Sequence, residues 1–297
     1  MIINKASLDL LFTGFSSAFK DGFASAPSHF QKLAMVTNSQ TREERYGWIG
    51  RFPSIREWLG DRIVDNLSIH SFTIENKDYE ATICVDRNDI EDDRMGVYAP
   101  MFDHFGREAK EHPDRLMFDL IGKGFTTNCY DGQSFFDTDH PVTDANNVIG
   151  SVSNMQAGAG TPWYLLDTSK ALRPFVFQRR KDFNLVRKDS PNDDNVFDQR
   201  RFIYGTDGRC AVGFGLWQLA YGSKAELTSA NYEAARAAMT TLRGEAGRVL
   251  GIMPTLLVVP ASLEGAARRL LKTQTKSDGS SNEWADSCEL LVTPWLG

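Results

Sequence analysis

The chain has 297 residues, 41% of them hydrophobic and 24% charged, fractions ordinary for a soluble globular protein that exclude the disordered and collagen-like classes. No apolar run approaches the ~20 residues of a membrane-spanning helix, and residues 1–10 lack the basic-then-apolar pattern of a secretion signal, so a soluble chain is expected. The net charge of -6, with no basic cluster beyond Arg179, Arg180 and Lys181, speaks against a protein that grips nucleic-acid phosphates, and the scattered Cys84, Cys129, Cys210 and Cys288 spell neither a zinc cage nor a redox pair.

Phe12, Phe15, Phe19 and Phe23 recur at spacings of three or four and predict an amphipathic helix with one apolar edge. That edge suits either an arm lying on a neighbouring molecule or a helix packed on its own core, and the sequence leaves both open. Residues 53–66 then interleave Arg56, Trp58 and Arg62. A β-hairpin is expected next, with Leu67, Ile69, Phe72 and Ile74 in one arm and Tyr79, Ala81, Ile83 and Val85 in the other, turning at 75–78.

Tyr98, Met101, Phe102, Phe105 and Ala109 share a helical face, with Asp103 and Arg107 one turn apart on the polar side. Pro113 either interrupts this helix or restarts it, and Leu116, Met117, Leu120 and Ile121 carry the stripe on to Gly122 and Gly124. Strands are expected at 163–166, 174–177, 201–204 and 211–219, with the acidic stretch 189–198 as an exposed loop. Tyr232, Ala235, Met239, Leu242, Ala246 and Val249 predict a helix capped by Thr228 or Ser229. A buried strand at 255–259, a helix opened by Pro260 with Leu263, Ala267, Leu270 and Leu271 inward, a polar loop at 273–282 and a last strand at 289–293 complete an α+β pattern.

Asp137, Asp139 and His140, near Cys129, Asp131 and Asp144, form the densest polar group. Carboxylates with an imidazole could hold a metal, but no second ligand stands at helical spacing, and turn capping by Asp137 and Asp139 is the preferred reading. Cys129 with His140 could act as nucleophile and base, yet no strained turn or oxyanion donors surround the thiol. Gly213-Phe214-Gly215 lacks the third glycine of a nucleotide loop and sits in a strand pattern, while Glu91, Asp92 and Asp93 suit the start of a helix. The sequence therefore assigns no catalytic, cofactor-binding or metal-ligating residue.

Six ordered blocks carry a family resemblance: TIENKDYEATICVDRNDIEDD (73–93), GVYAP (96–100), CYDGQSFFDTDHPV (129–142), VGFGLWQLAYGS (212–223), LGIMPTLLVVPASLEGAARRLL (250–271) and LLVTPWL (290–296). With them the chain resembles the major head (capsid) subunits of Mu-like phages and prophages. The resemblance implies the tailed-phage capsid fold: an N-terminal arm (1–45), an extended E-loop hairpin with flanking strands (46–86), a P-domain with a spine helix at 97–112 (87–160), and mixed P-domain and A-domain segments (161–297).

It further implies pentamers and hexamers closing an icosahedral shell around double-stranded DNA without reading its sequence, assembly in the bacterial host cytoplasm, and scaffolding, protease, portal and decoration proteins as helpers. No cofactor and no membrane are implied. Phe12, Phe15, Phe19, Arg56, Trp58 and Arg62 are the expected intersubunit contacts. One departure stands out: the strand-rich segment 202–219 usually closes such chains, whereas here it precedes a helix and the PTLLVVP strand, which implies a permuted strand order. An encapsulin-type shell with an enzyme cargo, and a hydrolase using Cys129 or the Asp137/His140 group, are the alternatives.

Overall fold

In chain order the elements are α1 (Lys5–Ser25), α2 (Phe30–Leu33), β1 (Ala34–Asn38), β2 (Glu43–Tyr46), β3 (Phe72–Glu75), β4 (Lys77–Asp86), α3 (Arg87–Glu91), α4 (Ala99–Gly122), β5 (His140–Thr143) and β6 (Ile149–Val152). There follow β7 (Met155–Gln156), β8 (Trp163–Leu166), β9 (Phe175–Lys188), α5 (Asp194–Gln199), β10 (Arg201–Phe214), β11 (Ala220–Ser223), α6 (Ser229–Thr240), β12 (Leu256–Pro260), α7 (Glu264–Lys272) and β13 (Glu289–Thr293). This computed structural model describes residues 3–46, 72–92, 95–144, 146, 148–244, 247–276 and 279–296.

A four-stranded sheet runs β1-β9-β10-β4, parallel between β1 and β9 and antiparallel elsewhere, and a five-stranded sheet runs β13-β12-β8-β11-β7. β8 and β12 are buried along their whole length, as short apolar runs covered on both faces should be, whereas β10 alternates buried and half-buried positions over most of its fourteen residues. The larger core gathers around the five-stranded sheet with α6 and α7. A second core lies between α1, α4 and the far halves of β4, β9 and β10.

α1 begins at a capping box in which Ser7 N donates to Asn4 Oδ1 and Asn4 N donates to Ser7 Oγ. It packs along α4 through rings: Phe15 stacks on Phe102 at 4.1 Å, Tyr204 meets Phe15 edge-on at 5.3 Å, and Phe19 meets Phe105 at 5.6 Å. The helices touch backbone to backbone where two glycines face across. A Cβ on Gly22 would stand 1.9 Å from the Asp103 carbonyl oxygen, and one on Gly106 would stand 2.0 Å from that of Phe19.

Four sequence expectations change. First, β3 and β4 do not pair with each other: β3 pairs with β2, β4 pairs with β10, and Asn76 is the corner between the two sheets. Asn76 is buried, its Nδ2 donating to Ser39 Oγ and to the Thr41 carbonyl, so the polar 75–78 cluster is a pinned bend and not a hairpin turn. Second, α4 passes through Pro113 and ends at Gly122, beyond the expected limit of 112. Apolar side chains buried on both sides of the proline, Phe105 and Ala109 before it and Met117 and Phe118 after it, outweigh the one backbone bond that the ring removes.

Third, the strands expected at 201–204 and 211–219 are largely one strand, β10, and the loop 189–198 carries α5, with Asn195 and Val196 buried. Fourth, α6 stops at Thr240. Gly244 and Gly247, the latter at φ +71°, turn the chain back so that Leu250 N donates to the Leu242 carbonyl. Leu242 stays buried and Val249 ends exposed, while Ala246 lies outside the described residues.

Candidate assembly surfaces

The helix periodicity places Phe12, Phe15 and Phe19 on one edge of α1, and that edge faces the chain's own α4 and β10. Phe15 and Phe19 are 3% and 4% exposed, so their contacts are within the subunit; Phe12 is half-buried, stacked near Tyr204 and covered on one face by the Arg187 guanidinium at 4.7 Å. Arg56, Trp58 and Arg62 lie outside the described residues. What is described is the base from which their segment departs and to which it returns, the antiparallel β2–β3 pair with Tyr46 opposite Phe72.

That base is fixed by polar side chains that the sequence reading passed over. Tyr46 Oη donates to Gln178 Oε1 at 2.9 Å, and Gln178 Nε2 donates to Asn76 Oδ1 at 2.8 Å. Glu44 Oε1 accepts from Gln40 N and Ser39 Oγ, each at 2.9 Å, and from Thr41. The backbone bond from Gln40, then those from Ser39 and Thr41, lower the Glu44 carboxyl to about 2. Gln178 is fully buried in β9, over a hundred residues from Asn76, which is why no local pattern announces the pairing.

The polar group singled out in the sequence does assemble. Cys129 Sγ donates to Asp131 Oδ1 at 3.0 Å, His140 Nδ1 lies 2.7 Å from Asp131 Oδ2, and His140 Nε2 lies 3.2 Å from Asn154 Oδ1. The imidazole is fully buried and stacked flat on Trp217 at 3.9 Å. Cys129, Asp131 and His140 could in geometry face one ion, their ligand atoms all lying within 4.8 Å of one another. Burial, with the Asp131 charge added to it, pushes the Cys129 thiol far above its ordinary value. A thiol held protonated is a poor nucleophile.

Burial raises the Asp131 carboxyl, and the bonds from His140 and Cys129 more than offset it, leaving it below its ordinary value. The group ties the β5–β6 hairpin to the turn at 129–137, with Asn154 Nδ2 donating to the Phe135 and Trp217 carbonyls. Asp137 caps as expected, accepting from Thr138 N at 2.7 Å and Ser134 N at 3.2 Å. Asp139 is held above its ordinary value by its hydrogen bond to Asp137.

Large apolar side chains stand uncovered: Phe197 on α5 is 83% exposed, Leu10 on α1 73% and Val97 before α4 68%. A subunit that leaves large apolar side chains in water has the make-up of an assembly component. Its fold puts it in the class of phage major capsid proteins. The chain superposes on a subunit of the bacteriophage JBD30 procapsid with a TM-score of 0.88, at 41% identity over 99% of this chain and all of that one. On the JBD30 capsid the TM-score is 0.79, at 32% identity over both chains in full.

The chain belongs to the Mu-like prophage major head subunit (gpT) family, whose model matches residues 8–296. It is 41% identical to the major capsid protein of Escherichia phage Mu over all of both chains. It is also 42% identical to the Mu-like prophage FluMu major head subunit of Haemophilus influenzae, over 90% of this chain and 89% of that one. It is a structural capsid protein and not an enzyme, and the hydrolase and enzyme-cargo alternatives are set aside. Among the described residues, no helix is long and apolar enough to cross a membrane.

Proposed function

We propose that copies of this chain, as pentamers and hexamers, close the icosahedral head shell around double-stranded DNA. The observation that carries this is full-length likeness, in sequence and in fold, to subunits of solved phage shells. A net charge of -6 suits a wall that must enclose a polyanion without adhering to it. Scaffolding and portal proteins are the helpers that such closure calls for. A decoration protein is a further partner, by analogy with the JBD30 capsid decorated with minor capsid protein trimers.

In this reading the excursion between β2 and β3 is the E-loop, which reaches a neighbour and meets it with Arg56, Trp58 and Arg62. Electron microscopy of the purified chain, alone and with its scaffolding protein, tests the proposal. Closed hollow particles or capsomer rings are expected, and a protein that remains monomeric under both conditions would overturn it.

A further inference from the structure

α5 is a short helix built to hold one ring in water. Asn195 Nδ2 donates to the Lys188 and Arg201 carbonyls, Val196 is buried in the second core, and Arg200 closes the helix in the left-handed region at φ +58°. The next side chain on this braced turn, Phe197, is 83% exposed. Asp194 and Asp198 stand one helical turn apart beside the ring, both exposed and both without a cationic partner among the described residues. An exposed phenylalanine between two unpaired carboxylates, on a backbone fixed by buried amide bonds, is a knob with a defined charge.

The same subunit holds a cleft of opposite character. Between α1, the Pro113 turn of α4 and β9 lies a cavity of about 670 Å³ whose walls include Phe12, Phe19, Phe23 and Phe183 together with Lys20 and Lys110. The other two cations on its wall are already engaged, Lys181 with Asp207 and Arg179 with Asp182 at 3.8 Å. Lys20 and Lys110 have no carboxylate partner among the described residues; Lys110 lies over the Phe23 ring at 5.0 Å. The cleft thus offers aromatic walls and two uncompensated ammonium groups, where the knob offers an aromatic ring and two uncompensated carboxylates. Complementary charge around an aromatic anchor is the usual make-up of an interface centre.

We propose that α5 of one subunit, Phe197 leading, seats in the α1/α4/β9 cleft of a second copy. Asp194 and Asp198 then face Lys20 and Lys110. Knob and cleft are different surfaces of one chain, so the contact is head-to-tail, the kind that propagates around a ring until rotation closes it. It rests on the container reading and adds to it a specific surface and its partner. It also gives Phe12, half-buried in its own subunit, a role at the cleft mouth between subunits.

The test uses the full chain in two arms, with wild-type particles as the reference; their absence would sink the container reading itself. In the first arm, Phe197→Asp should leave thermal unfolding of the unassembled subunit unchanged, since the ring covers nothing in its own chain, while raising the protein concentration needed for assembly on the order of tenfold. In the second, Phe197→Cys and Ser16→Cys are combined with Cys84→Ser, which removes the exposed native thiol. Mild oxidation of these particles should link neighbouring subunits into a ladder on a non-reducing gel, and neither single cysteine should do so. Normal assembly by Phe197→Asp overturns the proposal. So does a loss of assembly without a ladder, or a loss confined to decoration-protein binding, because Phe197 then meets a different surface.

Discussion

Glu44 accepts hydrogen bonds from Gln40, Ser39 and Thr41 at the corner leading into β2, and these hold its carboxyl at about 2 against an ordinary 4.5. A carboxyl lowered by folding adds stability above its unfolded value, and that stability fades as the pH falls through the folded value. Glu44→Gln should therefore unfold at a lower temperature than wild type at pH 7. The gap between the two melting curves should shrink between pH 4.5 and about 2. A gap of constant size down to pH 2 would mean that the charge does not brace this corner. Asn76 and Gln178 work beside it as neutral groups, so the pH-dependent part of the bracing belongs to Glu44.

The crossing of α1 and α4 depends on Gly22 and Gly106, since a methyl group at either would occupy the space of a facing carbonyl. Gly106→Ala gains helix propensity, yet it must push the helices apart and separate Phe15 from Phe102. Overpacking costs about 1–3 kcal/mol, and a clash with a backbone carbonyl, which cannot turn aside as a flexible side chain can, falls toward the upper part of that range, above the ~1 kcal/mol gained from the better helix former. Denaturant melts should show a net loss, and an unchanged or raised midpoint would show that the crossing yields freely. The apolar edge of α1 was legible as Phe12, Phe15, Phe19 and Phe23 because burial imposes a 3.6-residue period; its partner was not, because a period names a face and never what covers it. α7 was legible for the same reason, and β8 and β12 because a short unbroken apolar run marks a strand covered on both faces. The pairing of β3 with β2 was hidden, since Tyr79, Ala81, Ile83 and Val85 alternate equally well beside β10 as beside β3. The buried group at Cys129, Asp131 and His140 was visible as composition, but Trp217, on which the imidazole stacks, lies far along the chain, and nothing in the local pattern singles out Asn154.

At the scale of the molecule, the subunit has two cores, and the β2–β3 base is anchored to the four-stranded sheet through Tyr46 and Gln178. If Trp58 meets a neighbour from the segment that this base carries, Trp58→Ala should leave unfolding of the unassembled subunit nearly unchanged and raise the concentration at which particles appear, as measured by light scattering. A strongly destabilised subunit whose survivors assemble normally would place Trp58 in a core instead.

The anchoring also sets a timetable. Tyr46 and Asn76 both wait for Gln178, and β1 waits for β9 as its parallel partner, Ala34 opposite Phe175. Synthesis at about 5–20 residues per second puts on the order of ten seconds between the making of Tyr46 and of the residue that holds it. During that interval the nascent β1 and β4 lack their partners β9 and β10, and identical nascent chains nearby offer the same strands. Pairings this distant in sequence also close slowly. The β2–β3 base can therefore be fixed only after residue 178 of 297 has left the ribosome, so the order of translation itself delays its bracing until more than half of each chain exists.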